Sequence, residues 1–257
     1  MSQEILNHIN KLLENNKPKR AIEFCKKEIA KFTEDKPSRE IREHVAEIYY
    51  MMSSIMASCG KMEEALHHID NAIANNPKED SYYYHRAEIN VEIYNYENAI
   101  QDYSKSIKLN PTSVSYGKRG AAKILAGNYN GAVIDCTKAI NMNPDFGGGY
   151  VERGRAKHKA ENFSGAIKDF TKAIEMFPEL SFPYGLRADS RIKMGDIEGA
   201  LEDYKKLQKL DPRNDLAKRA IKEISKMNEK DAVCVCSSEH KTEQNLFGRI
   251  KNLFVKR

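Results

Sequence analysis

Three side chains that could bind a metal ion or be modified stand close together near the carboxyl end of the sequence, at Cys234, Cys236 and His240. Thiolate and imidazole groups are common zinc ligands, but a structural zinc site takes four ligands and this cluster supplies three. We therefore predict no metal site. Neighbouring cysteines beside a basic segment also suit reversible acylation, which makes Cys234 and Cys236 candidate acylation sites; an unmodified linker is the alternative.

No other group of residues has the spacing of a catalytic centre. His67 and His68 lie in a helical pattern that predicts surface and packing roles, and His158 stands between two lysines, which disfavours a cation site. The run 147–149 is glycine-rich but lacks the GxxxxGK spacing of a phosphate-binding loop. Because no nucleophile is placed with a base, we predict no catalytic residue, no cofactor and no enzyme activity.

Charge and cysteine content narrow the class of protein further. The chain has five cysteines, an odd number, and three of them fall inside helical patterns, which favours reduced thiols and a cytoplasmic location. Of the net charge of +5, residues 241–257 contribute five basic side chains and one acid. Because the basic character belongs mostly to this tail, we expect no nucleic-acid partner. No apolar run is long enough to cross a bilayer.

Three residue types recur along the chain at gaps of 33 or 34 residues. The series are Pro77, Pro111, Pro144, Pro178 and Pro212; Ala65, Ala99, Ala132, Ala166 and Ala200; and Tyr49, Tyr83, Tyr116, Tyr150 and Tyr184. A period of this length is typical of a solenoid, in which each repeat is one small structural element that must stack on its neighbours to bury its apolar face. Within each period the apolar spacing predicts two helices, and the proline ends the second.

The repeated pattern resembles that of the tetratricopeptide repeat family. One copy is an aromatic, a small residue, an alanine, a second aromatic, an alanine and a proline: Tyr150, Gly154, Ala166, Phe170, Ala173 and Pro178. The resemblance implies an all-α fold, a right-handed superhelical α-solenoid of about six antiparallel helix pairs. Two departures are systematic. Tyrosine replaces the usual tryptophan, and arginine replaces a leucine of the first helix at Arg86, Arg119, Arg153 and Arg187.

The pattern divides the chain into five parts. Residues 1–45 form a degenerate helix pair with an extension, 46–212 hold five repeats, 213–228 form a capping helix, 229–242 a flexible linker, and 243–257 a basic amphipathic helix.

Each of the four arginines has an aspartate 16 residues later, at Asp102, Asp135, Asp169 and Asp203. We predict that these pairs link helices. The alternative is a charged ladder that binds a ligand. A structural role is favoured because a group repeated identically cannot distinguish one ligand position from another.

The resemblance implies a non-enzymatic adaptor that holds a peptide or helix of a partner protein in the concave groove lined by the first helices. Positions that differ between repeats are free to recognise the partner. The candidates are Tyr50, Met51, Tyr84, His85, Lys118, Arg155, His158, Lys159, Asp189 and Lys193. A subgroup of the family clamps the acidic tails of chaperones, but Gly148 and Glu152 stand where that clamp needs basic residues. We therefore predict a different partner.

The tail supports two further interpretations. Its apolar stripe and its basic residues are Leu246, Phe247, Ile250, Leu253 and Phe254, with Arg249 and Lys251. This pattern is typical of a helix lying on an anionic membrane surface, and it favours a peripheral membrane-associated scaffold as an alternative function. The tail could equally dock in a groove of its own chain or of a second copy, which would give a self-assembling scaffold.

Overall fold

The computed structural model describes residues 3–32 and 37–234, with side-chain detail as far as residue 226. These residues form helices and turns, without a strand among them. The helices are α1 (Gln3–Glu14), α2 (Pro18–Ile29), α3 (Arg39–Ser58), α4 (Met62–Asn75), α5 (Asp80–Glu92), α6 (Tyr96–Leu109), α7 (Ser113–Leu125), α8 (Tyr129–Met142), α9 (Gly147–Lys159), α10 (Phe163–Met176), α11 (Phe182–Lys193), α12 (Ile197–Leu210) and α13 (Asp215–Cys234).

The chain divides into two compact units, Met1–Asn128 and Tyr129–Arg257. Within the N-terminal unit each helix from α1 to α7 packs against the next, and within the C-terminal unit the same holds from α8 to α13. Within each unit, apart from the step between α2 and α3, short turns join the helices, and the helices joined in this way run antiparallel. This succession of packed helix pairs is the architecture of an α-solenoid.

Local sequence sets where several helices begin. The side chains of Ser38, Thr112, Asn162 and Asp196 each accept a hydrogen bond from the backbone N–H three residues later, at 2.9–3.2 Å. These bonds satisfy backbone donors that have no partner inside the helix. Pro18 stands in the first turn of α2, where its missing N–H costs nothing.

The core of each unit is built on the repeated small residues. All five alanines of the second-helix series are 0% exposed. The first helices also bury small residues, among them Ser53, Ala87 and Gly154. A Cβ added at Gly154 would lie 2.6 Å from Phe170 Cε1. Since real Cβ atoms do not approach so closely, a larger residue at position 154 would push α9 and α10 apart.

The two ends of the described chain are closed by helices outside the five repeats. At one end Ala21, Ile22 and Cys25 of α2 are buried with Ile48 and Met52 of α3.

At the other end Ala217, Ala220 and Ile224 of α13 are buried against Tyr204 and Leu207 of α12. The α13 helix therefore covers an apolar face that would otherwise be exposed, as a capping helix does.

In the carboxyl-terminal region, the end of one helix differs from the end predicted from the sequence. The α13 helix continues to Cys234, into the segment 229–242 that the sequence predicts as a linker. Residues 229–234 contain neither glycine nor proline, so nothing in them breaks the helix. Residues 235–257, with the predicted amphipathic helix, lie outside the described residues. Within residues 3–32 and 37–234, no helix has the length and apolar character required to cross a membrane.

Candidate partner-binding surface

The repeated arginine and aspartate link the two helices of a repeat. Arg86 Nε and Nη2 donate to the two carboxylate oxygens of Asp102 at 2.9 and 2.7 Å. The same two-bond contact joins Arg153 to Asp169 and Arg187 to Asp203, at 3.0 and 2.7 Å in both cases. The predicted link between helices is therefore confirmed for these three pairs.

Each arginine also reaches the second helix of the preceding repeat. Arg86 Nη1 donates to Asp70 Oδ1 at 2.6 Å, Arg119 Nη1 to Ser104 Oγ at 3.0 Å, and Arg187 Nη1 to Thr171 Oγ1 at 3.0 Å. Its guanidinium also lies 5.4–5.8 Å from the ring centre of the tyrosine three residues earlier. The arginines are thus occupied by structural contacts, which argues against a charged binding ladder.

The first-helix face of the N-terminal unit carries a group of aromatic rings. The ring of Tyr50 on α3 lies 5.3 Å from that of Tyr82 and 5.2 Å from that of His85, both on α5. His85 Nε2 is 3.1 Å from Ser53 Oγ, whose own proton is donated to the Ala65 carbonyl. His85 is therefore the donor in that bond. Burial lowers the pKa of His85, which favours the neutral ring.

The other predicted residues of this unit do not all belong to that group. Tyr84 stacks edge-on against Tyr103 of α6 at 5.5 Å, and Lys118 Nζ donates to Glu88 at 2.9 Å. Met51 packs against the core between α1, α2 and α3, so its contribution to an exposed surface is small. The structure brings Tyr50 and His85 together and leaves these three residues with other contacts.

The first-helix face of the C-terminal unit is basic. His158 Nδ1 of α9 donates to Ser190 Oγ of α11 at 2.8 Å, because Ser190 donates its own proton to the Leu186 carbonyl. Burial and then the positive charges of Lys159 and Lys193 lower the pKa of His158. Both lysines are exposed, and neither forms a salt bridge with a described residue. They are the two cations of this face that remain available to an anionic ligand.

Two other predicted residues of this unit have contacts within the fold. Arg155 Nη1 donates to the two oxygens of Glu152 at 3.0 and 2.9 Å. Asp189 Oδ1 accepts from the hydroxyl of Tyr204 at 2.5 Å.

The contact made by Asp189 recurs in the N-terminal unit and was not predicted. There Tyr103 donates to Glu88 across the same 15-residue spacing. Where the second-helix aromatic is instead Phe170, which has no hydroxyl, the corresponding first-helix position is Arg155. The signal was present in the sequence as an acid 15 residues before a tyrosine, but two such pairs among five repeats do not show that the residues touch.

The described residues offer no site for a metal ion. No group of three or more His, Cys, Asp or Glu side chains among them has a suitable arrangement. Cys25 and Cys136 are buried free thiols whose pKa burial raises to about 11 and about 12, while Cys59 is exposed. The candidate acylation residue Cys236 lies outside the described residues, and Cys234 is described only as the last residue of α13.

Comparison with protein families identifies the repeats. Residues 60–114 and residues 183–214 each match a model described as tetratricopeptide repeat. No curated protein matches the chain.

Solved structures share its fold. A tetratricopeptide repeat protein from Parabacteroides merdae is 20% identical, with 98% of this chain and 97% of that chain covered and a TM-score of 0.69. The C-terminal part of a repeat-containing protein from Cytophaga hutchinsonii is 20% identical over 90% of this chain and 89% of its own, with a TM-score of 0.69. YrrB, described as a tetratricopeptide repeat protein with an unusual peptide-binding site, is 18% identical over 77% and 97%, with a TM-score of 0.59.

The family models match one complete helix pair and parts of its neighbours in the N-terminal unit, and one further pair in the C-terminal unit. The other pairs within residues 46–212 carry the same alanine, tyrosine and proline series at the same period. With the all-helical fold and these structural neighbours, the chain belongs to the tetratricopeptide repeat family.

Proposed function

We propose that this protein is a non-enzymatic scaffold whose first helices hold a peptide or helix of a partner protein. Tetratricopeptide repeats support protein–protein interaction, and YrrB is described as having a peptide-binding site. The fold itself hosts many functions, so the proposal depends on the residues that the first helices expose.

The observation that carries the proposal is the contrast between repeated and non-repeated residues. The arginine, aspartate and tyrosine that recur are occupied by contacts between helices. The first-helix positions that differ between repeats instead leave Lys159 and Lys193 exposed without an anionic partner among the described residues. Two such lysines beside the neutral ring of His158 suit a carboxylate of a partner peptide.

The test is a selection of phage-displayed dodecapeptides on the full chain, followed by calorimetric titration of a synthetic selected peptide. We expect the double substitution Lys159→Gln with Lys193→Gln to weaken binding about tenfold. Each lost ion pair on an exposed surface is worth about 0.7 kcal/mol, which lies within the range for exposed pairs.

The matched control makes the same charge change on second helices, with Lys168→Gln and Lys205→Gln, and should leave the affinity unchanged. Both control lysines are exposed. Equal losses from the two double variants would mean that only net charge matters, and the assignment of this face would be wrong.

A second candidate function rests on the sequence of the tail. Residues 241–257 combine an apolar stripe with five basic side chains. Such segments gain from apolar burial and from attraction to anionic lipid, which supports a scaffold held at a membrane surface.

A further inference from the structure

One position of the repeat changes from polar to apolar in a single repeat, on an exposed surface. The residue before the repeat proline is, in chain order, Asn76, Asn110, Asn143, Phe177 and Asp211. The backbone does not require a phenylalanine there, because φ is −138° at Phe177 and −139° at Asn76. Phe177 is 43% exposed, so much of its apolar surface is left in solvent.

Two further apolar residues are exposed in the turn that Phe177 begins. Leu180 is 43% exposed and Phe182, the first residue of α11, is 50% exposed. The N–H of Leu180 donates to the carbonyl of Phe177 at 3.1 Å, so the turn brings these residues close together.

The turn between α8 and α9 adjoins this surface. The ring of Phe177 lies against the start of α9, where a Cβ added at Gly147 would overlap it. The residue before Gly147 is Phe146, which is half-buried and stands two positions after its repeat proline, as Leu180 does. The other repeats have polar residues at that position, namely Glu79, Ser113 and Asn214. We call Phe146, Phe177, Leu180 and Phe182 the apolar patch. An exposed group of this kind, where other repeats are polar, is typical of a surface that another segment covers.

The charges beside the apolar patch indicate what covers it. Asp145 and Glu179 each follow the repeat proline directly, and both are exposed without a salt bridge to a described residue. The two turns, residues 143–146 and 177–181, contain no basic side chain. An apolar surface beside two carboxylates suits a segment that is both apolar and basic, whereas it repels an anionic membrane.

The C-terminal unit ends in a segment with this composition. Residues 241–257 contain five basic side chains and one acid. Their apolar side chains, which the spacing places on one helical face, are Leu246, Phe247, Ile250, Leu253 and Phe254.

The chain before this segment is long enough to reach the apolar patch. The α11 and α13 helices begin at the same edge of the unit, because α12 lies between them and runs antiparallel to both. With 20 residues, α13 carries the chain about 30 Å from that edge. Residues 235–245 span at most about 40 Å when extended, so the tail can return to the turn before α11.

We propose that residues 243–257 dock on the apolar patch of their own chain. Their apolar stripe would cover Phe177, Leu180 and Phe182, and their basic side chains would meet Asp145 and Glu179. The linker favours the tail of the same chain over other segments, because it holds the tail at a high local concentration. Docking would bury the stripe that a membrane surface requires, so anionic lipid and the apolar patch would compete for the tail.

The inference does not depend on the proposed peptide-binding function. The apolar patch lies at the turns, whereas the peptide is proposed to contact the face that carries Lys159 and Lys193. Failure of one proposal therefore leaves the other standing.

The experiment is photo-crosslinking in the full chain, with p-benzoylphenylalanine in place of Leu180. Mass spectrometry of the irradiated protein should find crosslinks to residues 243–257. The matched control places the same group at Ile134, which is 70% exposed on α8 in the same unit, and should give no such crosslink. Mixing light and isotopically heavy chains distinguishes the tail of the same chain from that of a second copy.

Two sets of substitutions test the chemistry of the contact. Phe177→Asn, which restores the residue type of three other repeats, should lower the yield of tail crosslinks at least threefold. The charge reversal Asp145→Lys with Glu179→Lys should do the same. The control Glu198→Lys with Glu202→Lys makes the same change of net charge at exposed positions of α12 and should leave the yield unchanged.

Three results would overturn the proposal. The first is a yield of tail crosslinks from position 180 no higher than that from position 134. The second is crosslinking between light and heavy chains, which would assign the apolar patch to the tail of a second copy. The third is an equal loss from both charge reversals, since net charge and not the two acids beside the apolar patch would then govern the contact.

Discussion

At the scale of single residues, each repeat arginine holds several groups of the fold at once. Arg86 binds Asp102 of its own repeat, Asp70 of the preceding repeat and the face of Tyr83. The Tyr83 hydroxyl in turn donates to the carbonyl of Pro77 at 3.1 Å. The arginine and tyrosine that replace the leucine and tryptophan of the family pattern therefore contact each other. The arginine supplies the cation over the ring, and the tyrosine supplies the hydroxyl that reaches the proline turn.

The first prediction concerns the Arg86–Asp102 pair. The side chain of Asp102 is 9% exposed and that of Arg86 is 27% exposed. The substitution Asp102→Ala leaves a largely buried guanidinium without its main partner, and we expect it to lower the free energy of unfolding by about 3 kcal/mol. Adding Arg86→Leu should cost much less than Arg86→Leu costs in the wild-type background. Urea titration of the four proteins measures this coupling.

The exposed pair Lys172–Glu175 is the control for this cycle. Its side chains are 50% and 59% exposed, so Glu175→Ala should change the free energy of unfolding by less than about 1 kcal/mol. Additive effects of the two substitutions at positions 86 and 102 would refute the view that arginine and aspartate act as one unit.

At the scale of helices, the turn between the two helices of each of the five repeats contains one residue with positive φ. These residues recur at the spacing of the repeat. They are Gly60, Tyr94, Gly127, Glu161 and Gly195, with φ between 61° and 82°. Each follows the end of a first helix, where a left-handed residue closes the helix. Three of the five are glycine, which adopts this conformation without the steric cost that Tyr94 and Glu161 carry.

The second prediction exchanges the residue types at two of these turns. We expect Glu161→Gly to raise the free energy of unfolding by about 1 kcal/mol, because it removes the left-handed strain of an exposed residue. The reverse change, Gly195→Glu, should lower it by a similar amount. Both turns lie in the C-terminal unit, and nothing lies within 4 Å of a Cβ added at Gly195, so crowding does not contribute.

Thermal and urea unfolding of the two variants and of the doubly exchanged protein provide the measurement. The double exchange should return to nearly wild-type stability, since the turns are separate and their effects add. If both single variants were destabilised, side-chain contacts and not backbone conformation would govern these turns.

At the scale of the whole molecule, the question is whether residues 241–257 direct the scaffold to a surface. The third prediction is that the full chain sediments with vesicles of phosphatidylserine and phosphatidylcholine, whereas a chain ending at residue 240 does not. Sedimentation should decrease as salt is raised, because anionic lipid attracts the basic side chains. The substitutions Phe247→Ser and Phe254→Ser should reduce it by removing apolar burial.

The control for the vesicle experiment is a pure phosphatidylcholine preparation, which lacks the anionic headgroup and should retain little protein. Equal sedimentation of the full and shortened chains would remove the membrane alternative. The scaffold proposal would not be affected, because it depends on residues of the first helices.

Much of the fold could be predicted from the sequence, because each repeat of a solenoid is the same helix pair with the same contacts to its neighbours. The spacing of Ala166, Phe170 and Ala173 places them on one helical face, and Pro178 ends that helix. The 16-residue interval between Arg153 and Asp169 likewise follows from two helices of fixed length joined by a short turn. Such contacts join neighbouring elements, so period and helix geometry suffice to anticipate them.

The candidate surfaces were less predictable, because exposure depends on side chains that are distant in sequence. Lys159 and Lys193 were expected at the groove, but only the structure distinguishes them from Asp189, which is bound to Tyr204, and from Arg155, which is bound to Glu152. A side chain that is hydrogen-bonded within the fold is less available to a partner protein. The residue type alone does not show whether such a bond forms.

The sequence by itself determined the helix pairs, their order and the residues that close their cores, since these follow from the period and from burial of apolar faces. Only the tertiary structure decided which of the varying polar side chains are bound within the fold, as Asp189 is to Tyr204 and Arg155 is to Glu152. The reason is physical: a repeat pattern specifies contacts that recur, whereas the contacts of side chains that vary between repeats depend on which residues the fold brings together.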